Sequence, residues 1–232
     1  TINDFHCGLR GFNKESILQL GLVTTGMEFA SEMVVKATIM NYKIDEIPII
    51  LYPDGRKGPP HLNTWRDGWR HLVFLLIYSP KWLFFAPSLI ILLFSLLSLS
   101  ILLSGTQQIF NVNFDLHTLT LTGFMVVSSF QLIVFAVFVR IYSMNNGLYP
   151  AQKKHMFFFK LFTLERGIYS GIILFVFGLI IFFYLLNNWA NIGYKEITNL
   201  DYTFRLLIPS LTLISLGIQT IFSSFFLRIL GI

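Results

Sequence analysis

Four stretches of this chain, 83–103, 119–139, 168–186 and 206–227, run almost unbroken in apolar residues and contain no Asp, Glu, Lys or Arg. Nothing else in the sequence restricts the fold as tightly. A helix of about 20 apolar residues crosses the roughly 30 Å hydrocarbon core of a bilayer. Only a helix or a closed barrel satisfies its own backbone there. Composition agrees, since charged residues make up 12% of the 232, against about 25% in a soluble domain. The sequence therefore predicts an integral membrane protein with an all-α region of four transmembrane helices over 83–232.

The connections set the orientation. Residues 104–118 carry no Lys or Arg, whereas 140–167 carry Arg140, Lys153, Lys154, Lys160 and Arg166 against one acid, Glu165. The 187–205 connection balances Lys195 and Arg205 against Glu196 and Asp201. The excess of basic residues places the N-terminal part, the 140–167 loop and Arg228 on the cytoplasmic side. The net charge of +5 thus reads as topology. It does not form the aromatic-interleaved basic surface of a nucleic-acid reader, and no nucleic-acid partner is expected. The loop is expected to carry a second surface-lying helix, with Lys153 and Lys160 on one side and Phe157, Phe158, Leu161 and Phe162 on the other. Pro87 and Pro209 are expected near helix starts, where a missing N–H costs least. Gly171, Gly178, Ser210 and Ser215 leave room for close helix packing or a homo-oligomer interface.

Residues 1–52 are patterned like soluble sequence. They predict a short helix over 14–20 and a longer one over 26–41 with Met27, Ala30, Val34 and Ala37 on one face. Glu28 and Glu32, four apart, project together from the neighbouring face. A strand is expected over 45–52, ending at Pro53. About fifty residues cannot bury a useful core alone, so 1–60 is expected to be the C-terminal part of a larger α/β domain. The absence of an initiator Met supports that expectation. Residues 61–82 predict an amphipathic juxtamembrane helix, with Leu62, Trp65, Trp69, Leu72, Val73 and Leu76 on one arc. Asn63, Arg66, Asp67, Arg70 and His71 lie on the other arc, which suits a helix in the headgroup region. Trp65, Arg66, Trp69 and Arg70 are its interface residues. The single cysteine, Cys7, excludes an internal disulfide, and the scattered histidines offer no metal-ligand spacing.

Few residues offer chemistry. Asp4, Gly8 and Arg10 form D-x-x-x-G-x-R, in which the glycine also suits a plain tight turn. Glu32, taken alone, reads as a helix-surface carboxylate in water. The loop Arg56-Lys57-Gly58-Pro59-Pro60-His61 reads as a phosphate clamp, Arg supplying a planar fork and Lys a point charge. It reads equally as a basic patch drawn to anionic headgroups.

Taken in order, Asp4-Phe5-His6-Cys7-Gly8-Leu9-Arg10-Gly11-Phe12, Gly26-Met27-Glu28-Phe29-Ala30-Ser31-Glu32-Met33, Glu46-Ile47-Pro48-Ile49, Asp54-Gly55-Arg56-Lys57-Gly58-Pro59-Pro60-His61-Leu62 and Asp67-Gly68-Trp69-Arg70-His71-Leu72 closely resemble family 2 glycosyltransferases. More narrowly, they resemble the polyprenyl-phosphate sugar synthases related to dolichyl-phosphate mannose and glucose synthase. The resemblance implies a GT-A domain that transfers a hexose from a nucleotide-sugar to a polyprenyl phosphate at the cytoplasmic leaflet. The reaction inverts the anomeric carbon and serves cell-wall and other envelope glycans, with a bacterial inner membrane as the expected setting. It implies catalytic roles for Asp4 and Glu32, and acceptor-phosphate binding by Arg10, Arg56 and Lys57. The family's D-x-D motif for Mg²⁺ or Mn²⁺ and its nucleotide-binding half have no counterpart in this chain. No metal ligand is assigned here, and the chain alone is expected to be inactive. Pro59-Pro60-His61 stands where the mannose synthases carry a Ser-Lys pair. A processive synthase would show Q-x-x-R-W, which is missing. The alternative is a non-enzymatic translocator or anchor for lipid-linked sugars, although the spans lack the charged residues that a transport path often uses.

Overall fold

The structure, a computed structural model, describes residues 2, 8–26, 28–50, 52, 55, 63–78, 81–146 and 164–230. These fall into two compact units, one within Thr1–Ser79 and Arg140–Gln152 and the other within Pro80–Val139 and Lys153–Ile232.

In the first unit, α1 (Lys14–Gln19) begins where the Asn13 side chain accepts from the N–H groups of Glu15 and Ser16, a standard cap for orphan donors. It ends at Gly21, whose φ of +56° is the left-handed turn that glycine adopts without a Cβ penalty. Helix α2 (Glu28–Ile39) packs Met33 and Ala37 on Leu20, with Ile17, Leu22 and Tyr42 around them. Its buried side is Ser31, Glu32, Met33, Lys36 and Ala37, which corrects the face expected from apolar spacing. Glu32 and Lys36 are buried because each neutralises the other, a pairing that a hydrophobicity pattern scores as solvent-facing. Met27 lies outside the described residues.

The strand expected over 45–52 is not seen among the described residues. Residues 42–50 adopt no regular secondary structure, and Ile47 is 83% exposed. A strand needs a neighbour for its N–H and C=O groups, and no described segment supplies one. The described elements of residues 1–60 are helices, so an α/β remnant is not seen there. Helix α3 (Thr64–Tyr78) lies within the 61–82 range expected for an amphipathic helix. Asn63 Oδ1 accepts from Arg66 N–H while Asn63 N–H donates to Asp67 Oδ2, a reciprocal cap.

In the second unit, a π-helical turn (Lys81–Phe85) leads into α4 (Ala86–Leu103). It is followed by a hairpin of β1 (Gln107–Ile109) and β2 (Val112–Phe114), then α5 (Leu116–Asn145), α6 (Leu164–Asn191) and α7 (Leu200–Ile229). Among the described residues, four helices are long and apolar enough to cross a membrane, Lys81–Leu103, Leu116–Asn145, Leu164–Asn191 and Leu200–Ile229, and the last three run past both expected ends. Along α6, the exposed Tyr169 and the part-exposed Trp189 stand about 30 Å apart at 1.5 Å per residue. That spacing matches the hydrocarbon core between two aromatic belts. Pro87 lies in the first turn of α4, as expected. Pro209 lies inside α7, because the Asn199 side chain caps that helix well upstream by accepting from Tyr202 N–H. The second surface helix expected over 153–162 lies outside the described residues.

Helices α6 and α7 meet through small residues. A Cβ on Gly171 would stand 2.9 Å from the Gly217 carbonyl, and one on Gly178 would stand 2.9 Å from the Ser210 carbonyl. Ser210 Oγ donates to the Gly178 carbonyl at 2.9 Å. Gly217 extends the contact at the spacing that Ser215 was expected to share. Leu99 and Leu102 of α4, Leu119 of α5 and Ile208 of α7 form a core beneath the hairpin.

The 104–118 connection was expected only to lack basic residues, and it forms a hairpin that the sequence did not announce. Phe110 and Asn111 both have positive φ, 48° and 60°, as a two-residue type I′ turn requires, although no glycine marks it. A lone two-stranded hairpin is marginal in water, and Arg205 holds this one at its base. Its Nη2 reaches Thr106 Oγ1 at 3.2 Å and Asp115 Oδ1 at 3.3 Å. Its Nε and Nη2 fork onto Asp201 at 2.8 and 2.9 Å, and Nη1 donates to the Leu102 carbonyl. That carbonyl, in the last turn of α4, also accepts from Gly105 N–H at 3.3 Å. The Arg205→Ala protein is expected to keep its spans while amides 107–114 exchange with solvent about tenfold faster or more. Unchanged hairpin protection would show that Arg205 is not the staple.

Candidate functional site

Four of the nine site residues suggested by the sequence lie on α3, one on α2 and one on the segment before α1. Asp4, Arg56 and Lys57 lie outside the described residues.

Glu32 is the centre of a buried polar cluster. Its carboxylate is 0% exposed and accepts from Val23 N–H at 3.1 Å, Thr24 N–H at 2.8 Å and Thr24 Oγ1 at 2.6 Å. Lys36 Nζ lies 2.8 Å away and also donates to the Gly21 carbonyl at 2.6 Å. Tyr78 of α3 donates to Glu32 Oε1 at 3.3 Å. Burial alone would raise the Glu32 carboxyl. The Lys36 ammonium, the Thr24 hydroxyl and the Thr24 and Val23 N–H groups outweigh it and hold the group below the ordinary carboxylate range. Burial, then the Glu32 charge, push Tyr78 well above the ordinary phenol range, so it remains a hydrogen-bond donor. A carboxylate with this many donors is held as an anion and has little capacity left to take up a proton.

Arg10 reaches back to α2, its Nη1 donating to the Ala30 carbonyl at 2.6 Å and approaching Met33 Sδ at 3.9 Å. The structure therefore brings Arg10 and Glu32 onto the same helix. On α3, Trp65 is 89% exposed and Trp69 65%. The Arg66 side chain is also largely exposed, beside Asp67. Leu72 continues the exposed apolar face, while Phe74 and Tyr78 are buried and stacked at 4.4 Å. Arg70 departs from its three companions. Its Nη2 pairs with Glu28 Oε1 of α2 at 3.1 Å. Glu28 Oε2 and the Ser31 hydroxyl are buried without hydrogen-bond partners among the described residues.

Sequence reasoning missed Lys36, Tyr78 and the Val23–Thr24 amides. Lys36 left a readable signal, because a Glu four residues before a Lys is the favoured helical ion-pair order. The other contacts join residues far apart in sequence and left none. Among the described residues, no three His, Cys, Asp or Glu side chains gather to hold a metal ion.

Four apolar helices of spanning length, joined in sequence to a polar unit that gathers Arg10 and Glu32, define an integral membrane protein with a charged site ahead of its spans. Residues 137–231 match the family described as the glycosyltransferase family 2 C-terminal transmembrane region. Those residues carry the C-terminal transmembrane region of a family 2 glycosyltransferase. The chain is also 30% identical, over 230 residues, to the low-salt glycan biosynthesis hexosyltransferase Agl6 of Haloferax volcanii. The alignment covers 99% of this chain and 54% of that protein, so the chain spans about half the relative's length. These matches do not show the bacterial setting expected from the sequence. No solved structure matches the chain.

Proposed function

We propose that the protein transfers a hexose from a nucleotide-sugar to a polyprenyl phosphate at the cytoplasmic face of the membrane, with inversion. The observation that carries this reading is α3. An amphipathic helix bearing exposed Trp65, Arg66 and Trp69 stands in sequence between the Arg10–Glu32 unit and the first span. Such a helix suits a headgroup layer, which is where a lipid phosphate would be met.

The acceptor phosphate is already an anion at neutral pH, so the reaction needs little general-base assistance. A phosphate oxygen attacks the anomeric carbon as the bond to the nucleoside diphosphate breaks, and the leaving group departs with the bonding pair. Catalysis then rests on positioning and on stabilising charge. In this reading, Arg10, Arg56 and Lys57 hold the acceptor phosphate, and Asp4 orients the acceptor or takes a proton. Glu32, with its carboxylate fully engaged, holds α2 and the 21–24 segment in place.

The test is an assay of membranes containing the protein expressed from its intact gene, with labelled nucleotide-sugars and undecaprenyl or dolichyl phosphate. One donor is expected to yield a lipid-linked monosaccharide. Arg56→Ala with Lys57→Ala is expected to cut transfer by about 100-fold, the loss of two charge-assisted phosphate contacts, while donor binding persists. A wild-type protein that makes no lipid product from any donor would favour the translocator or anchor reading.

A further inference from the structure

The acid pair Glu28 and Glu32, which sequence patterning offers as a projecting pair of carboxylates, is used in the structure to fasten one helix to another. Glu28 faces Arg70 at 3.1 Å and Glu32 faces Tyr78 at 3.3 Å. Both contacts join α2 to α3, and they are two helical turns apart on α3. Gly26 completes the seat, because a Cβ there would stand 2.7 Å from Arg70 Nη2 and 2.7 Å from Glu28 Oε2. A side chain at position 26 would therefore displace the Arg70 guanidinium or the Glu28 carboxylate.

The Glu32 end of the fastening is tied to the rest of the cluster. The carboxylate that meets Tyr78 also holds the Val23 and Thr24 amides, and α2 offers the Ala30 carbonyl to Arg10. A movement of α3 would be felt by the 21–26 segment and by Arg10. In sequence, two residues separate Tyr78 from Lys81, where the first helix of spanning length begins.

We propose that Arg70 and Tyr78 are positioning residues that lock the juxtamembrane helix onto the Gly26–Glu32 segment and so set where the lipid phosphate is presented to Arg10. The inference rests on the hexosyl-transfer reading. It assigns Arg70 and Tyr78 no contact with substrate. It also separates Arg70 from Trp65, Arg66 and Trp69, whose side chains are turned outward.

The test uses the full-length protein in lipid nanodiscs, with Arg70→Gln, Tyr78→Phe, Arg70→Glu and the exchanged pair Glu28→Arg with Arg70→Glu. The first two are expected to raise KM for the polyprenyl phosphate about tenfold and leave KM for the nucleotide-sugar within about twofold. The exchanged pair is expected to recover at least half of what Arg70→Glu loses. Hydrogen exchange gives a second readout that does not depend on turnover, with the Val23 and Thr24 amides losing protection in Arg70→Gln and Tyr78→Phe. Unchanged acceptor KM together with unchanged amide protection would overturn the proposal, as would an exchanged pair no better than Arg70→Glu alone. Equal rises in both KM values would also overturn it, since they indicate general loosening of the unit. If the wild-type protein transfers nothing while the amides respond as expected, the hexosyl-transfer reading fails and the helix fastening stands.

Discussion

The Gly217→Leu protein is expected to lose the pairing of α6 with α7. A Cβ at position 217 would stand 2.6 Å from Phe175 N and 2.7 Å from the Gly171 carbonyl. These are backbone atoms, so no rotamer change relieves the overlap, and the helices must separate along their length. Inserting even a few methylenes into a close-packed contact costs about 1–3 kcal/mol, and a backbone clash in the middle of the interface belongs at or above the upper end. Separation would also break the Ser210–Gly178 hydrogen bond. Lipid tails offer no hydrophobic compensation, because helices in a bilayer associate through packing and polar contacts. Thermal unfolding of the purified protein in detergent should show a lower and less cooperative transition with helix content largely retained. Ile218→Leu, at a neighbouring position that is 40% exposed, should behave as the wild type. A Gly217→Leu protein as stable as Ile218→Leu would mean that the small-residue seam does not hold the pair together.

The second large effect is expected from Lys36→Met. This change leaves the Glu32 carboxylate, fully shielded from solvent, without its only counter-ion among the described contacts. Removing one partner of a buried pair costs about 3–5 kcal/mol, a large share of the roughly 5–15 kcal/mol that stabilises a typical domain. Native-state hydrogen exchange over residues 20–40 should report that loss. Replacing both partners, Lys36→Met with Glu32→Leu, should destabilise less than Lys36→Met alone, since no uncompensated charge remains. The same pair makes the unit sensitive to acid. The folded-state pKa of Glu32 is depressed, so its contribution is fully present above the ordinary carboxylate value. That contribution is lost as pH falls through the depressed value. Lys36→Met should shrink this acid-dependent part of the stability. Equal stability of Lys36→Met and wild type at neutral pH would remove the ion pair from the account of this unit.

The membrane part of the fold was the most legible from sequence, because a bilayer accepts few solutions. Charge-free apolar runs had to become helices, and all four did, with ends that extend further than the hydropathy alone marks. Gly171, Gly178 and Ser210 were readable as a packing seam because small residues in a span have little other use. The hairpin was not readable, because Phe110 and Asn111 adopt positive φ without the glycine that usually announces such a turn. Arg205 looked like half of a neutral charge balance in a loop. Its contacts with Leu102, Thr106 and Asp115 exist only once α4, the hairpin and α7 have come together.

In the N-terminal unit, local rules placed α1 to within a residue and gave α2 and α3 wider ranges than the described helices. They failed where burial depends on partners. A pattern reader puts Glu32 and Lys36 in water because a lone buried charge is costly, and only the assembled cluster of Thr24, Val23, Gly21 and Tyr78 offsets that cost. The strand expected over 45–52 failed for the opposite reason, since β-rich sequence becomes a strand only when a neighbour completes its ladder.

Sequence by itself determined the properties that one segment and its solvent decide between them: the four apolar helices of spanning length and the amphipathic pattern of α3. Tertiary structure alone decided which charges are spent on holding the molecule together. Glu28, Glu32, Arg70 and Arg205 each carry a full charge whose use depends on groups supplied from elsewhere in the chain, and electrostatic energy at a few ångströms is set by those neighbours and by the water they exclude.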